Sequence, residues 1–224
     1  MLKRTIHSFV RREGRMTNAQ QIAFTTLWPH YGIDITPDTV LDFNKIFNRN
    51  APTVLEIGFG NGEALVAMAM DKPEVNFIGV EVYKSGTGAL FNTLQEHNIT
   101  NTRVMLTDVV PLLSSVIPAH SLTHVYIYFP DPWPKKKHRK RRLLQTEFLD
   151  LIKRVLIPGG YIHFATDWQD YAHHALKVLS EHPGFKRVED QSQIPFYCAR
   201  PSTKFYRKAL QLGHKITDLS YQAV

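Results

Sequence analysis

The chain of 224 residues contains a single cysteine, Cys198. One thiol closes no disulfide, so a stapled secreted scaffold is excluded. No apolar run approaches the roughly 20 residues that a membrane-spanning helix needs. The opening stretch MLKRTIHSFVRREGR has no apolar signal core, so it is expected to be retained in a cytoplasmic protein. Two common phosphate fingerprints are also missing. Gly58, Gly60 and Gly62 do not have G-x-G-x-x-G spacing, and no G-x-x-x-x-G-K-[ST] occurs. The histidines are scattered. His173 and His174 are neighbours on an expected helix and cannot both face one ion, so no metal site is expected. Cys198 lacks a clear His partner and reads as structural rather than nucleophilic. There is no internal repeat and no low-complexity linker.

What is present is the composition of a domain with a real core. Hydrophobic residues make up 43% of the chain and charged residues 21%. Lys and Arg number 27 against 20 Asp and Glu, a net charge of +7. The excess is clustered. Lys135 to Arg142 reads KKKHRKRR; Lys3, Arg4, Arg11, Arg12 and Arg15 form a second patch; Arg200, Lys204, Arg207 and Lys208 form a third. Each alone could be a solvated face. Three together favour a polyanion whose counterions are released on binding. Lipid is disfavoured, because the central run has no amphipathic stripe.

Residues 1–17 read as a basic arm. A helix is expected over 17–28 with Thr17 as its cap, a loop over 29–37, and a short helix over 38–48. Five strands follow at 53–57, 75–80, 103–106, 122–129 and 161–165. Helical segments separate them, ending at Met70, at 88–97, 112–117 and 139–156, with another at 171–180. Pro158-Gly159-Gly160 reads as the turn before the fifth strand, and the stretches 185–189 and 205–210 as a closing antiparallel pair. This alternation predicts one α/β domain with a mostly parallel seven-stranded sheet over residues 51–224, the first 50 residues packing on it as arm and short helices.

Chemistry gathers where the strands end. Gly58, Gly60 and Gly62 suit a tight strand-to-helix turn and close ligand approach. Glu56 sits near the end of the first strand and Glu81 at the end of the second, where a carboxylate can accept from two ribose hydroxyls. Asp108, suited to an adenine amine, follows the third strand, Asp131 the fourth and Asp167 the fifth. In an open sheet these ends face one crevice, so all five acids are expected to converge. Any one alone could be a cap or turn residue. An acidic crevice repels a pyrophosphate and suits S-adenosylmethionine, with its sulfonium, amine and ribose diol. Beyond the fourth strand, Pro130, Pro132 and Pro134 stiffen a loop that holds Asp131 at the mouth. Trp133 either stacks on a base or anchors the loop. Lys135 is near enough in sequence to reach the same site. His138 is expected to meet solvent or phosphate.

With SFVRREGRMT, LEIGFGNG, GVEV, FPDPWPKKKHRKRR, GGYIHFATDW and RPSTKF in this order, the chain resembles the bacterial tRNA (guanine-N7)-methyltransferase family over nearly its whole length. The resemblance implies a Rossmann-like class I methyltransferase domain and S-adenosylmethionine as methyl donor. It implies tRNA as partner and N7 of a variable-loop guanosine as acceptor. It implies cofactor roles for Glu56, Glu81, Asp108 and Asp131, with Asp131 also catalytic. It implies substrate contacts from Lys135, Asp167, Thr203, Lys204 and the residue at 206, and RNA contacts from Lys137, His138, Arg139, Lys140, Arg141 and Arg142. A monomer or homodimer without an obligatory protein partner is expected. Two positions depart from the pattern. Pro134 replaces a polar residue, and Tyr206 stands where a T-x-x-E motif puts a guanine-holding Glu. Tyr cannot reproduce a carboxylate's two-acceptor geometry, which leaves as the alternative a tRNA-binding homologue with weak, altered or lost activity. Glu189 and Asp190 are the acids expected to compensate.

Overall fold

TVLEI, Thr53–Ile57, forms β1, and all five of its residues are buried. A strand covered on both faces is the central member of a parallel sheet. In the computed structural model, which describes residues 8–9, 14, 16–36 and 40–224, β1 pairs in parallel with β2 (Asn76–Glu81) and with β4 (Leu122–Tyr128). β3 (Thr102–Leu106) continues the sheet beyond β2, and β5 (Leu156–Thr166) lies beyond β4. Two antiparallel strands, β6 (Phe185–Arg187) and β7 (Thr217–Ala223), complete the order β3-β2-β1-β4-β5-β7-β6. The sheet is thus the mostly parallel seven-stranded one expected.

Alternation along the strands feeds two cores. Val54, Phe77, Val104 and Tyr126 face α1 (Asn18–Tyr31), α3 (Glu63–Asp71) and α4 (Thr87–Glu96). Leu55, Ile78, Val125 and Phe164 face the other side, with α2 (Phe43–Phe47), α5 (Val109–Pro111), α6 (Thr146–Val155) and α7 (Gln169–Glu181). Glu56 and Glu81 lie two and four residues along from Val54 and Phe77, so they share the first face. A last helix, α8 (Lys204–Gln211), precedes β7.

Four local expectations are corrected. α1 begins at the expected Thr17, whose capping box with Gln20 is complete, but it runs through Pro29 to Tyr31. Leu27 and Tyr31 are buried on either side of Pro29, and Tyr31 packs on Phe91 at 5.5 Å between ring centroids. That docking outweighs the helix-breaking tendency of proline in the final turn. Pro158-Gly159-Gly160 lies within β5 and not before it. Gly159 takes φ +78°, and a register shift lets Leu156 pair with Leu122 while Tyr161 pairs with His124. The stretch 205–210 is helix α8 and not a strand, because Thr203 caps it by accepting from Tyr206 N at 3.3 Å; β7 takes the strand position. The basic run is a 3₁₀ stretch, Lys136–Arg141, and α6 starts only at Thr146. Lys3, Arg4, Arg11, Arg12, Arg15, Pro37 and Asp38 lie outside the described residues.

Candidate active site

The carboxyl ends of β1, β2, β3 and β4 open on one groove, lined among others by Glu56, Gly58, Gly60, Glu81, Asp108 and Asp131. Four of the five expected strand-end acids therefore converge. The fifth does not: Asp167 accepts from His214 Nδ1 at 2.9 Å and is not part of the groove wall. His214 lies 47 residues away in the chain, so nothing local announces that pairing.

The glycine turn shapes the floor. Gly58, Gly60 and Gly62 have φ of +78°, +57° and +79°, the left-handed region that a Cβ penalises. Gly62 is also crowded, since a Cβ there would sit 2.5 Å from Leu90 Cδ1. The turn hangs on β2: Gly58 N–H donates to the Val80 carbonyl at 2.8 Å, and Gly60 N–H to Glu81 Oε2 at 3.0 Å. Glu81 Oε1 accepts from Val82 N and Tyr83 N at 2.6 and 3.2 Å. Burial raises the Glu81 pKa against the pull of those three donors.

Glu56 is the more extreme acid. It is 2% exposed, and its Oε2 has no hydrogen-bond partner among the described residues. Burial first, then the nearby Glu81, pushes its pKa up to about 8. An isolated buried carboxyl is costly, and a ligand ammonium beside it would remove that cost. Asp108 caps α5 by accepting from Val110 N at 3.1 Å and still lines the groove. These acids above a left-handed glycine cradle fit the amine and hydroxyl donors of S-adenosylmethionine.

Asp131 stands exposed at the mouth. The loop that carries it is held in a costly conformation, with positive φ at Phe129 (49°) and Trp133 (46°). Trp133 is a loop anchor and not an open stacking platform. Its Nε1 donates to the Ser8 carbonyl at 3.0 Å, and the Arg141 guanidinium lies 4.0 Å from its ring centroid. Arg141 also donates to the Phe9 carbonyl at 2.7 Å. Ser8 and Phe9 thereby join the groove wall, a contribution hidden in an arm that reads only as basic.

The basic run divides. Lys135, Lys136, Lys137, Arg139 and Lys140 are exposed, and His138 is half-buried. Arg142 is 3% exposed. It donates to the Pro132 carbonyl at 2.9 Å, pairs with Asp170 and lies 4.9 Å from the Tyr171 ring centroid. It braces the PDPWP loop against α7, which corrects its expected place on the RNA-facing surface. Arg139 shares Asp170 at 2.9 Å. In the third patch, Arg200 is paired with Asp218 at 2.6 and 2.9 Å, and Arg207 with Glu63 at 3.2 Å.

Thr203, Lys204 and Phe205 form a further stretch of groove wall beside the glycine turn, where a Cβ on Gly60 would sit 3.9 Å from Phe205 Cε2, and Glu63 joins it. Phe205 is 60% exposed. No local signal marks Glu63 or Phe205 as site residues; an acid opening a helix and an apolar residue in a short amphipathic helix are ordinary. Tyr206 is not in the groove wall and packs on Arg200, 4.5 Å from guanidinium to ring centroid. Glu189 pairs with Arg187, and Asp190 holds Ser192 and Gln193. Neither lines the groove, so neither compensates for Tyr206 there.

Residues 50–219 match the family model described as "Putative methyltransferase". The tRNA (guanine-N(7)-)-methyltransferase of Hydrogenovibrio crunogenus is 48% identical over 225 residues, covering 99% of this chain and 92% of the relative. The enzyme of the same name from Nitrosococcus oceani is 49% identical over 219 residues, covering 98% and 91%. A crystal structure of the 16S rRNA methyltransferase KamB superposes with TM-score 0.60 at 14% identity, covering 86% of this chain and 97% of that one, a likeness of fold. At this identity and coverage, the chain belongs to the tRNA (guanine-N7)-methyltransferase family.

Proposed function

We propose that the groove binds S-adenosylmethionine and that the protein methylates N7 of a guanosine in the variable loop of tRNA. The observation that carries this reading is the adjacency, in a member of this family, of a four-acid groove and a solvent-exposed cationic stretch. S-adenosylmethionine supplies an electrophilic methyl group on a sulfonium. Glu81 and the Gly58–Gly62 turn hold the ribose side, Asp108 the adenine amine, and Glu56 the donor's own ammonium. Guanine N7 has a lone pair and no proton, so no residue has to act as a general base. What remains is alignment and desolvation. Asp131, at the end of β4, orients the reacting groups and favours positive charge at the mouth electrostatically. Thr203 and Lys204 contact the guanosine, and Lys135 meets its O6 or a nearby phosphate. Asp167, engaged by His214 outside the groove wall, is not among the guanosine contacts. Lys137, Arg139 and Lys140 grip the RNA backbone, with His138 and Arg141 beside them.

The test is methyl incorporation from labelled S-adenosylmethionine into unmodified tRNA, with the product mapped by N7-specific strand cleavage. One methyl at a variable-loop guanosine is expected. Incorporation at another base, or into small molecules but not tRNA, would overturn the reading.

A further inference from the structure

Guanine presents two donors on its Watson–Crick edge, N1–H and the 2-amino group, and a carboxylate is the side chain that accepts both at once. The groove's acids differ in their freedom to do this. Glu81 is engaged by three backbone N–H groups, Asp108 caps α5, and Glu56 is buried on the strand floor. Asp131 sits at the mouth beside the expected methyl path. Glu63 is also engaged, but through one oxygen only, and on the wall away from the strand ends. It opens α3 on the wall shared with Thr203, Lys204 and Phe205, and its side chain is 39% exposed. Two contacts fix it from α8, Lys204 N at 2.7 Å and Arg207 Nη2 at 3.2 Å, and both fall on Oε2. The carboxylate is thereby oriented before any ligand arrives, and the exposed ring of Phe205 lies beside it on the same wall. Tyr206 faces away, against Arg200.

We propose that Glu63 is the residue that selects guanine, its Oε1, the oxygen that α8 leaves unengaged, accepting from N1–H and the 2-amino group while Phe205 covers one face of the base. The inference rests on the function proposed above and adds to it a reader supplied by α3 and aimed by α8. A base lacking either donor would leave the oriented carboxylate with an unmatched acceptor, which is how a polar site rejects an analogue.

The experiment compares tRNA carrying guanosine at the target position with the same tRNA carrying inosine, which keeps N7 and N1–H but lacks the 2-amino group. Both are tested with the wild-type chain and with Glu63→Gln, and S-adenosylmethionine affinity is measured alongside as a check of the fold. At saturating S-adenosylmethionine, wild type is expected to favour guanosine by about 10-fold or more in kcat/KM, and Glu63→Gln to lower that preference to about 2-fold. An unchanged guanosine-to-inosine ratio in Glu63→Gln would overturn the assignment and leave Glu63 as an anchor of α8. If the Gln variant loses cofactor binding, Glu63→Asp, which keeps the charge but shortens the reach, is read by the same ratio. Absence of N7 methylation by the wild type on guanosine tRNA would instead overturn the underlying function.

Discussion

Glu56 and Glu81 are buried acids fixed by strands, whereas Lys136, Lys137 and Lys140 are exposed cations on one 3₁₀ stretch. The two groups are close in the fold yet governed differently. The acids have little water to screen them, so each depends on specific partners, as Glu81 does on three N–H groups. The lysines keep their hydration and act through summed charge. Arg142 shows that sequence position alone does not decide which behaviour applies. It closes the basic run but behaves as a buried residue, bracing Pro132 and Asp170. The lesson is that the donor-binding half of the site should be sensitive to single atoms, and the RNA-binding half to total charge and salt.

The largest expected effect is at the groove mouth. Asp131→Asn should slow single-turnover methyl transfer by about 100-fold or more with the fold intact; equal transfer would remove Asp131 from the mechanism. Next come two variants of the basic run that should separate cleanly. Neutralising Lys137, Arg139 and Lys140 together should weaken tRNA binding and flatten its dependence on log salt by about one unit per lost phosphate contact, with stability little changed. Arg142→Ala should instead cost about 2–4 kcal/mol of stability in denaturant titration, through lost packing and stranded loop carbonyls. Similar stability in the two would erase the distinction drawn between them. Gly62→Ala should cost about 1–3 kcal/mol, because it adds a Cβ at positive φ against Leu90, and it should weaken cofactor binding through the displaced turn.

The smallest effect concerns pH. Glu56 has a folded pKa near 8, above that of an exposed carboxyl, so the native state keeps a proton that the unfolded chain releases. The corresponding stability is full below the ordinary Glu range and is lost as pH rises toward about 8. Without cofactor, Glu56→Gln should therefore flatten the fall in Tm between about pH 5 and about pH 8.5. The same slope in both proteins would contradict the account of Glu56.

The donor half was legible because its signals are local. TVLEI alternates onto two cores, and Gly58, Gly60 and Gly62 can take the positive φ the turn requires. Glu81 follows its strand at the expected spacing. The rest depends on contacts far apart in sequence. Glu63 meets Lys204 across 141 positions, and His214 draws Asp167 off the groove across 47. Stretch 205–210 has strand-like residues, but the Thr203 cap and the buried Ala209 make it a helix. Arg142 looks like its neighbours until Asp170 and Tyr171 enclose it. Periodicity and spacing report none of these partners.

The division between the two regions is tested most directly by measuring S-adenosylmethionine and tRNA affinities on the same wild-type protein across one salt series. Between about 50 and about 200 mM salt, tRNA affinity should fall by at least about tenfold while cofactor affinity changes by less than about twofold. A tRNA affinity indifferent to salt, or two affinities that fall together, would contradict the account.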